Sequence, residues 1–284
     1  MGEDSSVTGG YDGKANEPRS TVTGGAGNDA DGHASSVTGG AANNAIGSDS
    51  SITGGKFNTA SGESSSVSGG SYNTARGDET SITCGDQCIA NGHRSTITGG
   101  AEHVADGYAS PVTGERANIA EGEYASVTAG PHYNTTGSHF SVTGGSDNVP
   151  VREFTSVTGG YGGRANGLHS TVTGGGGNVA DGQASSVTRG LGNIAEGEQA
   201  FIMGGSHNSV TGHHSSVTGG SYNAAEGGQS SIIEGYRNKA NGEGSTITGG
   251  FENVANGGAS SVTGGEHNVA EGEHAPSQRD NGTM

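Results

Sequence analysis

A β-branched aliphatic residue stands at every fifteenth position of this chain, from Val7, Val22, Val37 and Ile52 through Val142 and Val157 to Ile247 and Val262. The step does not vary over 18 copies. With this residue as position zero, the pattern of polar and apolar residues reads S-S-V-T-G-G-x-x-N-x-A-x-G-x-x. The stretch S-S-V-T alternates in character and is rich in β-branched and hydroxyl side chains, which predicts a short strand. Ser at minus two and Val face one side, while Ser or Thr at minus one and Thr at plus one face the other. Val is the apolar member, so its side is the interior. N-x-A-x predicts a second short strand with Asn and Ala inward, as at Asn58 and Ala60 or Asn178 and Ala180.

Glycines separate the two strands. The pair after Val-Thr marks a tight corner that needs a positive φ or a close backbone approach. Two variable residues follow as an exposed tip, such as Tyr11-Asp12, Lys56-Phe57 or Tyr236-Arg237. The Gly at plus ten, as in Gly32, Gly47 and Gly62, makes the second corner. Each copy is therefore one coil of a parallel solenoid, whose strands pair with the coils above and below. Successive coils lie about 4.8 Å apart, so eighteen would extend roughly 85 Å. The fold class is all-β, a parallel β-roll of 18 coils of 15 residues with two short strands per coil. The solenoid covers residues 1–274, and residues 275–284 form a non-repeat tail. The interior is thin, with one Val or Ile and one Ala per coil. Backbone ladders and a column of Asn side chains must carry the stability. A roll this thin points towards oligomerisation.

Composition would mislead without the period. Gly contributes 59 of 284 residues, Trp is absent and hydrophobic residues are 28%. Together with a net charge of -17 this is the signature of disorder, but a disordered chain has no reason to hold a Val column. The acidic balance and the scattered 12 Lys and Arg exclude a nucleic-acid stripe. No apolar run approaches a membrane span, and no secretory signal is visible. The expected location is extracellular, or on a cell or particle surface, by an unspecified route. No residues form a placed nucleophile, base or metal cage, so neither an enzyme nor a cofactor is expected.

The spacing N-x-A-x-G-x-x-S-S-V-T-G-G resembles the head repeats of trimeric autotransporter adhesins, the YadA-like heads. The shared spine is visible at Ala60, Gly62, Ser65 and Val67, and again at Ala180, Gly182, Ser185 and Val187. Here the unit is one residue longer, and Thr-Gly stands where the family has Ala-Ile. The resemblance spans the repeats alone, with no coiled-coil stalk or membrane anchor among them. It implies a left-handed roll, a homotrimer and binding to a protein or glycan surface. A trimer needs an outward apolar stripe, and the residue between Asn and Ala supplies one at Ile89, Val104, Ile119, Val149, Val179, Ile194, Val254 and Val269. Lys14, Asp29, Arg164 and Lys239 interrupt it.

A second reading comes from the outward face of the first strand. T-x-T pairs occur at Thr21 and Thr23, Thr96 and Thr98, Thr171 and Thr173, and Thr246 and Thr248. Most other coils have S-x-T, as at Thr38 and Thr53. Such flat arrays resemble insect hyperactive antifreeze β-helices, which implies ice binding. Pro111, Phe201, Met203 and Ile233 disturb the array. Cys84 and Cys88 flank one first corner, which leaves a disulfide and two free thiols equally open. Most of the eleven His fall in corners as polar fillers. The calcium nonapeptide match at Gly24 to Gly32 and the dinucleotide-like Gly160 to Ala165 lack the context either motif needs. Repeats nine and ten are the least regular, with Pro131, Tyr133, Phe140, Pro150, Arg152 and Phe154 breaking columns. Drift is the favoured explanation, but any local binding spot is expected there.

Overall fold

The computed structural model describes residues 2–128 and 130–276. The chain is a parallel β-solenoid of 18 coils with two short strands in each. It divides into two compact units, Met1–Thr143 and Gly144–Met284.

In the first unit, the first strands run from Ser6–Val7 to Ser141–Thr143, and successive ones pair in parallel. The register never slips: Val7 lies against Val22, Val22 against Val37 and Val37 against Ile52. The second strands form a nine-stranded parallel sheet from Lys14–Ala15 to Asn134–Thr135. In the second unit, the first strands run from Ser156–Thr158 to Ser261–Val262, and a nine-stranded sheet runs from Val149–Pro150 to Val269–Ala270. Pro150 belongs to the first strand of that sheet, an edge position where a residue without an N–H is tolerated. Single rungs at the tips, such as Tyr11 with Ala26 and Ala26 with Ala41, add a third paired column. Ser261 also pairs with Pro276, so pairing continues just past residue 274. The rest of the expected tail, 277–284, lies outside the described residues.

The core follows the period. Val and Ile at zero, Ala at plus eight, Ser at minus two and Asn at plus six are buried in nearly every coil. The predicted Asn column forms. Asn43 is typical: its Nδ2 donates to Gly39 O at 3.0 Å and to Gly55 O at 3.1 Å, and its Oδ1 accepts from the Asn58 N–H at 3.1 Å. One buried side chain thus satisfies two corner carbonyls and one amide of the next coil, which is how so polar an interior is tolerated.

The two glycine columns have different reasons. Gly25 has φ +84°, and a Cβ there would lie 2.1 Å from Gly40 O. Gly47, in the second corner, is free of positive φ. It is glycine because a Cβ would lie 2.0 Å from Gly62 O in the next coil.

The tips carry a feature that the sequence pattern does not show. Non-glycine residues at plus five and plus twelve adopt left-handed backbone, among them Phe57 (φ 55), Tyr72 (φ 55), Arg94 (φ 58) and Tyr124 (φ 55). That conformation costs about 1 kcal/mol or more per residue. It turns the amide around, so that Phe57 N–H donates to Ala41 O at 3.0 Å and Arg94 N–H to Asp78 O at 2.9 Å, each in the preceding coil. At each tip the plus-four amide donates forward, as Lys56 N–H does to Gly70 O at 3.0 Å, while the plus-five amide donates back.

Candidate functional site

Among the described residues no group of His, Cys, Asp and Glu is placed to hold a metal ion. Among the same residues, no helix is long and apolar enough to cross a membrane. The Thr array and the aliphatic stripe named above stand on the outward columns.

The hydroxyl columns face out. Thr23, Thr38, Thr53, Thr96, Thr98 and Thr248 are exposed, and Thr21, Thr171, Thr173 and Thr246 are half-buried. The rungs are in register, with Thr171 against Ser186 and Thr173 against Thr188. Full T-x-T rungs are rare, however. They start at Thr21, Thr96, Thr171 and Thr246, a step of 75 residues, or every fifth coil.

The same slower period orders a second column. Asn16 donates to Asp31, Asn91 to Asp106, Asn166 to Asp181 and Asn241 to Asn256, at 2.6, 2.6, 2.5 and 2.8 Å. These pairs also step by 75 residues, and each acceptor shares its coil with a T-x-T rung. The surface thus has a five-coil module of about 24 Å within each unit, while the core keeps the fifteen-residue period. Aligning the chain to itself at every fifth coil exposes this signal; reading single repeats hides it.

The aliphatic stripe lies on the outward face of the second strand. Ile89, Val104, Ile119, Val179, Ile194 and Val254 are half-buried, and Val149 and Val269 are 41% and 45% exposed. They form short runs: Ile89, Val104 and Ile119 stack in one unit, and Val179 with Ile194 and Val254 with Val269 in the other. Val149 instead pairs with Arg164. Asp106 and Glu121, and then Asp181 and Glu196, stand two residues further along the same coils.

The corners hold most of the aromatic rings. In the second unit a column runs His207, Tyr222, Tyr236, Phe251, His267 over five successive coils, with centroids 5.0, 5.6, 5.5 and 5.5 Å apart. Arg237 lies 5.1 Å over the Tyr236 ring and pairs with Glu252 at 3.1 Å. In the first unit, His93, Tyr108, Tyr124 and His139 form a similar column at the second corner. There Arg94 bonds Glu79 at 2.8 Å and the Tyr108 hydroxyl at 3.2 Å. The Arg94 and Arg116 guanidiniums hold Glu79 and Glu102 below the usual carboxylate range.

Three residues of the buried columns and their corner stand apart. Cys84 is exposed and Cys88 is buried, and both thiols are free, so TCGDQC forms no disulfide in this structure. Cys88 takes an Asn place, where its Sγ lies 3.6 Å from Asp86 O and burial pushes the thiol up. His103 also takes an Asn place and is fully buried, unlike the His that fill the corners. Its Nδ1 accepts from the Asn118 N–H at 3.1 Å, so Nε2 carries the proton towards Gly114 O at 3.3 Å. Burial pushes its pKa below the ordinary 6.5, opposed by the bond to Gly114. The neutral form is favoured by folding, so this contribution to stability is complete above pH 6.5 and is lost as pH falls through the lowered value. His103→Asn restores the column residue and should shrink the loss of melting temperature between pH 7 and about pH 4.5. Equal losses in both proteins would contradict this role.

In the irregular region, Tyr133 and Phe140 are buried at 1% exposure each, in an Asn place and a Ser place. The broken columns of repeats nine and ten therefore thicken the core with rings. Comparison of the chain with protein-family models and with curated proteins finds no match in either.

Proposed function

We propose that the chain is a structural and adhesive module, a rigid solenoid that displays repeated corner side chains to a protein or glycan surface outside the cell or on a particle. The observation that carries this reading is where the aromatic residues lie. Of 13 Tyr and Phe, only Tyr133 and Phe140 are buried in the core. The others reach the surface, with Tyr11 78%, Tyr161 64%, Tyr72 55% and Tyr222 50% exposed. A chain this poor in apolar residues could have used those rings in its core. Rings on the surface are instead the usual anchors of recognition. The likeness to YadA-like heads supports the same reading and adds a homotrimer. The outward runs of Ile89, Val104 and Ile119 are its natural contact, and the neighbouring Asp106 and Glu121 imply that association strengthens with salt.

Ice binding is the alternative. The registered Thr columns favour it. Full T-x-T rungs only at every fifth coil, and Phe201, Met203 and Ile233 within the columns, weigh against a continuous ice lattice.

The test is retention of the labelled full chain on cells and on matrix-coated surfaces. A Tyr222→Ser and Phe251→Ser double variant should lose at least fivefold in retention without unfolding, and no thermal hysteresis should be seen. Retention no better than that of an acidic control protein would remove the adhesive reading. Sedimentation as monomer at all salt concentrations would remove the trimer.

A further inference from the structure

In the regular coils the second corner is closed. Gly182 N–H donates to Ala195 O at 3.1 Å, and a Cβ on Gly182 would lie 2.0 Å from Gly197 O. Only two coils place a side chain in this glycine column, at Glu17 and Arg152. Neither makes the corresponding N–H bond among the described residues. One groove lies beside Glu17 and another includes Arg152. One is about 290 Å³ and includes Pro18 and Arg19; the other is about 470 Å³ and is lined by Val151, Arg152, Asn166, Leu168, Asp181 and Gln183. A Cβ has no room in the corner as the regular coils build it, and at Arg152 the N–H bond that closes the corner is absent where the groove lies.

The Arg152 groove has the chemistry of a recognition site. Arg152 is exposed and makes no ion pair among the described residues. Asn166 Nδ2 donates to Asp181 Oδ1 at 2.5 Å, which fixes both side chains and leaves the amide oxygen and the second carboxylate oxygen as acceptors. Gln183 adds an amide, and Val151 and Leu168 add apolar contacts. The Phe154 and His169 rings stack at 4.9 Å on the same corner. The backbone offers little: Val151 N–H donates to Ala165 O, Asn166 and Gly167 N–H both go to Ala180 O, and Asp181 N–H goes to Ala195 O. A peptide strand has no free ladder edge to join here, so the ligand is held by side chains.

We infer that this groove binds a carboxylate-bearing sugar at the end of a glycan. Arg152 takes the carboxylate, Asn166, Asp181 and Gln183 take hydroxyls, and Val151 and Leu168 take an apolar face. The inference rests on the adhesive reading above and names its ligand class. It also gives the irregularity at Arg152 a purpose other than drift. The residues that occupy the same place in the 75-residue register are Gly77 and Gly227. Arg152→Gly therefore reinstates the repeat's own residue and should keep the fold, and Arg152→Gln serves as a second variant that retains a side chain.

The experiment is saturation-transfer NMR and titration on the full chain, with 3′-sialyllactose and glucuronic acid as probes and lactose as control. Transfer to both acidic sugars and none to lactose is expected, with at least a tenfold loss of affinity in both variants and unchanged melting. Three results would overturn the inference: no transfer to either acid at millimolar concentration, equal binding by Arg152→Gln, or stronger competition by a short peptide's C-terminal carboxylate. If the chain is still retained on surfaces in those cases, the adhesive reading survives with another ligand. If retention fails as well, both fall.

Discussion

Gly47→Ala should cost about 3 kcal/mol, the upper range for overpacking a close-packed site, and lower the melting temperature by roughly 6–12 °C for a chain of this size. The added methyl would lie 2.0 Å from Gly62 O, 2.6 Å from Gly62 C and 2.9 Å from Ser61 O, all of them backbone. None can rotate away. The two coils must separate, and the Gly47 N–H bond to Ala60 O, now 3.2 Å, would be lost with them. Gly54 is the control. It has no positive φ, and a methyl there would meet nothing within 4 Å, so Gly54→Ala should be neutral or stabilise by about 0.5 kcal/mol through the unfolded chain. Thermal melts of both variants decide the point. Equal melting would mean that the second-corner glycine is not a steric requirement.

Asn58→Ala should also destabilise by about 3 kcal/mol, at about 1 kcal/mol for each hydrogen bond lost. Asn58 Nδ2 donates to Gly54 O and to Gly70 O, each at 3.1 Å, and Oδ1 accepts from the Asn73 N–H at 3.0 Å. All three partners are backbone groups of the interior or the corner; Ala leaves Gly54 O and the Asn73 N–H without this partner, while Gly70 O keeps the Lys56 N–H at 3.0 Å. The outward Asn44, on the second strand of the preceding coil, should be replaceable by Ala within about 0.5 kcal/mol. Denaturant unfolding of the two variants compares an inward with an outward Asn in neighbouring coils. Similar small losses would show that the Asn column is a passenger of the repeat. Coils with Gly13 and Gly163 in the Asn place show that single breaks are survivable.

The fold was legible because one residue every fifteen admits few solutions. Val at zero and Ala at plus eight had to face one interior, and the unvarying step allowed only parallel stacking in register. The candidate site was legible in part. The outward position of Ile89 or Thr98 follows from strand alternation, and Arg152 stood out as a break in a glycine column. What that break does was not visible, because the groove is made by three coils and not by one residue. The corner rings escaped for a similar reason. Tyr236 and Phe251 share a tip position, but Tyr222 and Tyr236 do not, and only the left-handed tip backbone brings their rings within 5.6 Å. His103 looked like any other His until its place in the Asn column showed that it is buried.

The sequence by itself determined the coil, its register and the split between inward Val, Ala, Asn and Ser and outward Thr, since a period and strand alternation are properties of the chain alone. The tertiary structure decided three further things. It showed that Gly25 is required by space and by conformation and Gly47 by space alone, because the clash depends on the distance to the next coil. It showed that the amides at plus five and plus twelve turn back to the preceding coil, because backbone direction is not encoded in side-chain pattern. It also placed a groove at Arg152, because the corner bond made by a glycine N–H in the regular coils is missing there.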